Sequence, residues 1–329
     1  MSFKLLGVGS PLVDYSLAVP EKFIDTHVPG GKGGTRNISA AQKDELIAAL
    51  NDRQIIRTPG GSAANTIRAF SRLGGSGTHF GKIGRDDDGD FFRQALLQTG
   101  SDVSLLPVSE TIATGFCLSL ITPDAERTML SNLGASLDVR KSDLADINFN
   151  SFSWLLLEGY LICEPWIDDL LEYARNAGCK IAVDLNNFEL VKRELKRFRK
   201  ITDSGIDLLF ANLQEASALF PDTPEQMLPE KLKQFPMRSV LKLGQHGSMI
   251  IDPDKIYRID AVKNLDIRDT TGAGDFYAAG FFYGLSKDLP PEICGRLGAI
   301  CAAEVIRITG TMCRDEDFEK LYNIINNEV

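Results

Sequence analysis

The chain of 329 residues is poor in the residues that usually announce chemistry: six cysteines, three histidines and two tryptophans. Cys117, Cys163, Cys179, Cys294, Cys301 and Cys313 are scattered with no CxxC pair, which argues against a disulfide framework or a thiolate zinc site. They read as small buried apolar residues. His27, His79 and His246 lie far apart in sequence, so neither a histidine metal cluster nor a Ser-His-Asp hydrolase is supported. No apolar run reaches the roughly 18 to 20 residues of a membrane span, and residues 1–10 lack the order of a signal peptide. The expectation is a cytoplasmic protein with no membrane partner. Positive charge is also scarce: 36 basic against 45 acidic residues leave a net charge of −9, which opposes nucleic-acid binding. The densest basic run, KRELKRFRK at 192–200, reads as the solvated face of a helix. There is no internal repeat, low-complexity segment or Pro/Ser-rich linker, so 1–329 is expected to form one unit.

What is present is alternation. Short apolar runs rich in Val, Ile and Leu recur with amphipathic stretches between them, the pattern of a doubly wound, mainly parallel α/β body. Strands are expected at 155–162, 180–186 and 206–215 and within 239–251, with helices at 166–177 and 189–200 and one reaching Phe220. Two stretches break this rhythm, about 15–58 and 111–133, where GFCLSLI and RTMLSNL look like half-exposed antiparallel strands. They are expected to build a small covering sheet, a lid inserted in the α/β body. The segment 29–41 (PGGKGGTRNISAA) is the most loop-like.

Two nucleotide motifs are approached and missed. Around Lys32, a Walker A loop would need Gly where Thr26 stands and Ser or Thr where Gly33 stands. GVGSPL begins like a dinucleotide fingerprint but has Leu12 at the third glycine, which leaves a Rossmann oxidoreductase weakly supported.

The informative stretch is DTTGAGDFYAAGFFYG at 269–284. Gly272, Ala273 and Gly274 leave the backbone open before an apolar helix, so their N–H groups and the helix dipole can converge on an anion. A passive anion cradle would not select Asp275 in the same turn. That carboxylate suits a base that accepts a proton from an attacking hydroxyl beside a stabilised phosphoryl group; the bland alternative is simple favour with the helix dipole. In PGGSAANTIRAFSRLGG (59–75), Gly60 and Gly61 permit close backbone approach, Ser62 can cap, and Asn65 can bond vicinal hydroxyls; a capped helix without ligand is the alternative. Asp14, after SPLVD, could accept from a polyol or serve a turn. Asn212 and Glu215 in ANLQEA share a helical face and could organise Mg²⁺ or merely cap the helix. KLGQHGS places Lys242, Gly244 and Gly247 in a turn that could meet a nucleotide.

GVGSPLVD, PGGSAANTIRAFSRLGG, GKIGRDDDGDFF, ANLQEA, KLGQHGS and DTTGAGDFYAAGFF together resemble the PfkB, or ribokinase-like, family of carbohydrate and nucleoside kinases, in the family's order and across nearly the whole chain. The resemblance implies a three-layer Rossmann-like body with a β lid, phosphorylating a hydroxymethyl group with ATP and Mg²⁺. It implies Asp275 as general base and Gly272, Ala273 and Gly274 as anion hole. Asp14, Gly60, Gly61 and Asn65 fall where the family holds sugar hydroxyls. Asn212 and Glu215 match the motif that organises Mg²⁺ through water. Asp269 and Thr271 sit where some relatives bind K⁺. GVGSPLVDYSLAV, ATGFCLSLITPDAERTMLSNLGAS and IRITGTMC are most similar to adenosine kinases, in which Arg127 aligns with a lid arginine that meets phosphate. The departures are SPLVD in place of NPLLD, and Leu161 after Tyr160, which leaves Phe188 as a platform for a purine. The expected substrate is a nucleoside such as adenosine. A ribose, fructose or 2-keto-3-deoxygluconate kinase is the alternative, a non-catalytic binding protein the remote one, and pairing of two copies through the lid is left open.

Overall fold

The computed structural model describes residues 2–50, 55–124, 126–263, 265–313 and 315–328. Residues 51–54 and Ala125, which belong to the two expected lid segments, lie outside the described residues.

Eight strands form the central sheet. From one edge they run Ser76–Phe80, Lys4–Val8, Trp154–Glu158, Lys180–Asp184, Leu208–Asn212, Arg238–Lys242, Ser248–Ile251 and Ile256–Ile259. The first six are parallel, and the last two are added antiparallel. Side chains of a strand alternate between faces, so both faces of this sheet are apolar and both must be covered. Leu6, Leu155, Leu157, Ile181, Val183 and Leu209 pack on one side with helices Ile167–Asn176, Leu195–Asp203 and Leu213–Leu219. Leu5, Leu156, Ala182, Leu208, Phe210 and Val240 pack on the other with helices Ser62–Arg72, Asp87–Gln98, Ala273–Ser286 and Pro291–Val305. Helix Ala273–Ser286 is buried continuously from Phe276 to Gly284, as a sequence apolar on every face requires. This is the ribokinase-like three-layer α/β fold with a mainly parallel sheet.

A separate five-stranded sheet runs Thr35–Asn37, Arg127–Gly134, Thr114–Ile121, Leu12–Ala18, Ile56–Gly60. It is mixed, not antiparallel throughout: Leu12–Ala18 runs parallel to Thr114–Ile121, and Thr35–Asn37 parallel to Arg127–Gly134. Helices Glu21–His27 and Ala40–Ala48 fold over it, burying Phe23, Ile24 and Leu46 against Leu17, Leu118 and Leu120. The loop-like reading of 29–41 holds for its glycines only, since Ser39 forms a capping box with Gln42 and starts the second of these helices.

Four further expectations change. The strand expected over 206–215 ends at Asn212, where helix Leu213–Leu219 begins. The strand expected over 155–162 ends at Glu158, and Gly159–Leu161 turn as a 3-10 helix. The helix expected over 189–200 is broken at Glu194 into Phe188–Arg193 and Leu195–Asp203. Of the cysteines read as buried, Cys163 is exposed. The basic run does lie on a charged surface, with Arg197 and Lys200 both paired to Asp168 at 2.8 and 3.0 Å.

Candidate active site

Parallel strands leave their carboxyl ends at one rim of the sheet, where loops diverge and a crevice opens. Four neighbouring strands here end in polar residues: Glu158, Asp184, Asn212 and Lys242. Register sets Glu158 beside Asp184 and Asn212 beside Lys242. A polar residue closing an apolar strand has no energetic place in the core, so each side chain turns toward the rim.

Asp275 meets this rim from the first turn of helix Ala273–Ser286. The turn before it requires Gly272, whose φ of 77° is left-handed and whose added Cβ would lie 2.5 Å from Thr311 Cγ2. The carboxylate is clamped: Ser62 Oγ donates to Oδ1 at 2.6 Å, Asn65 Nδ2 donates to Oδ2 at 2.9 Å, and Thr66 Oγ1 donates to the backbone oxygen at 3.1 Å. Each carboxylate oxygen keeps a second lone pair. Burial pushes Asp275 up to about 6, with Asp184 adding to the rise while Ser62, Asn65 and Lys242 oppose it.

The amides of 272–274 are not all available. Ala273 N–H donates to Thr270 O at 3.2 Å, closing the turn, so it drops out of the expected cradle of three. Among the described residues, Gly272 N–H and Gly274 N–H have no hydrogen-bond partner. Lys242 faces the same spot, because a Cβ added at Gly274 would lie 3.1 Å from its Nζ. Lys242 also holds Asp184 at 3.0 Å. Burial lowers the lysine pKa, but Asp184, Glu215 and Asp275 outweigh it and the net shift is upward. One lysine thus faces three carboxylates, a surplus of negative charge.

Asp14, Gly60, Gly61 and Asn65 come together at the opening. Gly60 is required by contact: a Cβ there would sit 2.5 Å from both Asp14 carboxylate oxygens. Asp14 is pushed up to about 7 by burial and by Asp275, against the pull of Arg68. Ser62 does not cap its helix. Gly61 occupies the cap position, and the Ser62 hydroxyl instead accepts from Asn186 Nδ2 at 2.7 Å while donating to Asp275.

Asn212 and Glu215 form a reciprocal capping box, with Asn212 N and Nδ2 each donating to a different Glu215 oxygen at 2.8 Å and Glu215 N donating to Asn212 Oδ1 at 2.9 Å. Glu215 is raised by burial and Asp184, against Lys242. Among the described residues no group of three or more His, Cys, Asp or Glu is placed to hold a metal directly. The rim fits Mg²⁺ only as a hydrated ion drawn by surplus carboxylates. Gly244 and Gly247 flank a 3-10 turn between Arg238–Lys242 and Ser248–Ile251, beyond Lys242.

Arg127 departs from expectation. It joins the small sheet to the body: Nη2 lies 2.8 Å from Asp269 Oδ1, and Nη1 donates to Thr271 Oγ1 at 2.6 Å. The Asp269 carboxylate also accepts from Thr271 N and Gly310 N, each at 2.9 Å. With a guanidinium on these oxygens, the pair Asp269 and Thr271 does not fit K⁺ in this conformation.

Sequence reasoning missed Glu158, Asp184, Asn186 and Arg68. Glu158 accepts from Ser10 N at 2.7 Å and Ala63 N at 3.3 Å and is pushed up to about 7 by burial, with those backbone bonds opposing. Glu158 and Asp184 did carry a signal, an acid ending an apolar strand. Asn186 and Arg68 carried none. The decoy Lys32 belongs to a surface ion cluster with Glu21 at 2.8 Å and with Asp124.

The pattern of the pfkB family carbohydrate kinases matches residues 37–317. The chain belongs to the pfkB family. An aminoimidazole riboside kinase of Salmonella typhimurium is 27% identical over 246 residues, covering 70% of this chain and 75% of that protein. Among solved structures, a probable sugar kinase from Rhizobium etli superimposes with a TM-score of 0.89 at 26% identity, covering 100% of both chains. The adenosine kinase from Sinorhizobium meliloti gives 0.88 at 27%, again over 100% of both. This pfkB protein is therefore an ATP-dependent kinase of the sugar or nucleoside type. Among the described residues no helix is long and apolar enough to cross a membrane.

Proposed function

We propose that this kinase transfers the γ-phosphoryl group of ATP to the primary hydroxyl of a ribonucleoside, adenosine or a close relative. The observation that carries the reading is Asp275, a carboxylate held by Ser62 and Asn65 beside the unpartnered N–H groups of Gly272 and Gly274. Asp275 accepts the hydroxyl proton; the freed oxygen bonds to the γ-phosphorus as the bond to the bridging oxygen breaks, and ADP leaves. With a value near 6 the base is ionised at neutral pH yet stronger than an ordinary carboxylate. Gly272 N–H, Gly274 N–H and Lys242 stabilise charge on the transferring group. Asp14 and Asn65 hold the ribose hydroxyls, with Gly60 and Gly61 letting the ligand approach the backbone. Asn212 and Glu215 would hold a hydrated Mg²⁺, which when bound would neutralise phosphate charge. Gly244 and Gly247 line the nucleotide side. The five-stranded sheet acts as the lid.

The nucleoside preference rests on the adenosine kinase and riboside kinase likenesses and on the exposed ring of Tyr160 beside the rim. A free-sugar acceptor is favoured by one observation: Leu161 is buried in the core and Phe188 lies under the Lys192 cation at 4.7 Å, so aromatic stacking faces are few. An ATP-consumption screen over adenosine, inosine, ribose, fructose and 2-keto-3-deoxygluconate separates the two. The expected result is a kcat/KM for a nucleoside at least about tenfold above any free sugar, a gap of about 1.4 kcal/mol. Preference for a free sugar, or no acceptor-dependent consumption, overturns it.

A further inference from the structure

Further along the helix that carries Asn65, between it and helix Asp87–Gln98, lies a cavity of about 330 Å³. Arg68, Arg72, Gln98, Thr99 and Phe318 are among its walls, and among the described residues no carboxylate lines it. Arg68 is only 5% exposed. Its guanidinium bonds only neutral acceptors: Pro59 O at 3.3 Å, Asn65 Oδ1 at 3.2 Å, Thr311 O at 3.4 Å and the weakly accepting Met312 Sδ at 2.9 Å. Its buried Nε has no hydrogen-bond partner, and among the described residues Arg68 forms no ion pair with a carboxylate. Asp14 attracts Arg68 only at longer range, and burying a guanidinium with no directly paired carboxylate and an unpartnered Nε is costly, an arrangement that a ligand would complete. Burial lowers Arg68 to about 10, so the positive charge is kept at neutral pH.

We propose that this cavity binds a small tetrahedral oxyanion, inorganic phosphate or the phosphate ester of a small metabolite, on the Arg68 guanidinium. Phe276, Phe318, Ala69 and Ala95 offer an apolar wall for a short carbon skeleton. The cavity is separate from the crevice at the strand ends: Asp14, Gly60, Lys242 and Asp275 do not line it. The two are connected through one residue. Asn65 Oδ1 accepts from Arg68 and from Thr311 Oγ1, and Asn65 Nδ2 donates to the Asp275 carboxylate, so an oxyanion that draws the guanidinium competes for one of the two bonds that hold Asn65 Oδ1.

The test is independent of the kinase reading. Inorganic phosphate and glycerol 3-phosphate are titrated by calorimetry, at ionic strength fixed with NaCl, into wild type, Gln98→Glu and Lys242→Gln. Gln98 is exposed at the cavity mouth, so its substitution leaves folding intact while setting a negative charge there; an unchanged melting temperature verifies this. The expected result is binding in wild type that persists in Lys242→Gln and weakens at least about tenfold in Gln98→Glu. Tighter glycerol 3-phosphate binding identifies an ester as the natural occupant, and equal or weaker binding identifies the free ion. Absence of binding in wild type, equal affinity in Gln98→Glu, or loss in Lys242→Gln overturns the proposal, the last because it would put the anion beside Gly274.

Discussion

Gly60 shows how one hydrogen in place of a methyl group sets how closely the backbone approaches the Asp14 carboxylate. A Cβ there would press to 2.5 Å of both Asp14 oxygens, so the carboxylate would have to move. Gly60→Ala is therefore expected to displace Asp14 and raise the KM for the acceptor by about ten- to a hundredfold, the worth of a charge-assisted hydrogen bond, with a smaller change in kcat. Steady-state kinetics on the preferred acceptor read this directly, and an unchanged KM would remove Asp14 from the binding role. Asn186 is the second residue of note. Its amide donates to Ser62 Oγ, which fixes the hydroxyl as a donor toward Asp275. Asn186→Ala should loosen that clamp and shift the acidic limb of the kcat/KM profile upward, because a donor that opposes the rise of Asp275 is weakened. A profile superimposable on wild type would show that Ser62 orients without help.

At the scale of elements, Arg127 ties strand Arg127–Gly134 of the small sheet to Asp269 and Thr271 of the body. Arg127→Ala should raise hydrogen exchange in Arg127–Gly134 and Thr35–Asn37 while Lys4–Val8 keeps its protection; equal protection throughout would mean that the latch contributes nothing. Much of the element pattern was legible in the sequence because parallel strands buried on both faces read as continuous apolar runs. GAGD was legible for a related reason, as backbone freedom set before an apolar helix. What could not be read follows from local physics. Glu194 breaks a helix that its composition would continue. The small sheet pairs strands in parallel across long sequence separations, which no short-range pattern encodes. The capture of Asp269 and Thr271 by Arg127 depends on tertiary approach between residues 142 or more apart.

For the molecule as a whole, the rim of carboxylates should be visible in its stability. Asp275, Asp14 and Glu158 hold protons up to about 6, 7 and 7, against usual values of 3.8, 3.8 and 4.5. Below pH about 3 the folded and unfolded chains are both protonated at these groups. As pH rises toward 7 the unfolded chain ionises first, so the fold loses stability across that window. The melting temperature is expected to fall by at least about 5 °C between pH 5 and pH 7.5, and Asp14→Asn should flatten the decline. A flat or rising profile would mean that the carboxylates ionise normally. The claim on which the account turns is that Asp275 takes the proton. With the acceptor identified by the screen, kcat of Asp275→Asn is compared with wild type while acceptor affinity is measured by calorimetry. The account predicts a loss of about a hundred- to ten-thousandfold in kcat with affinity nearly unchanged; turnover close to wild type in that variant would contradict it.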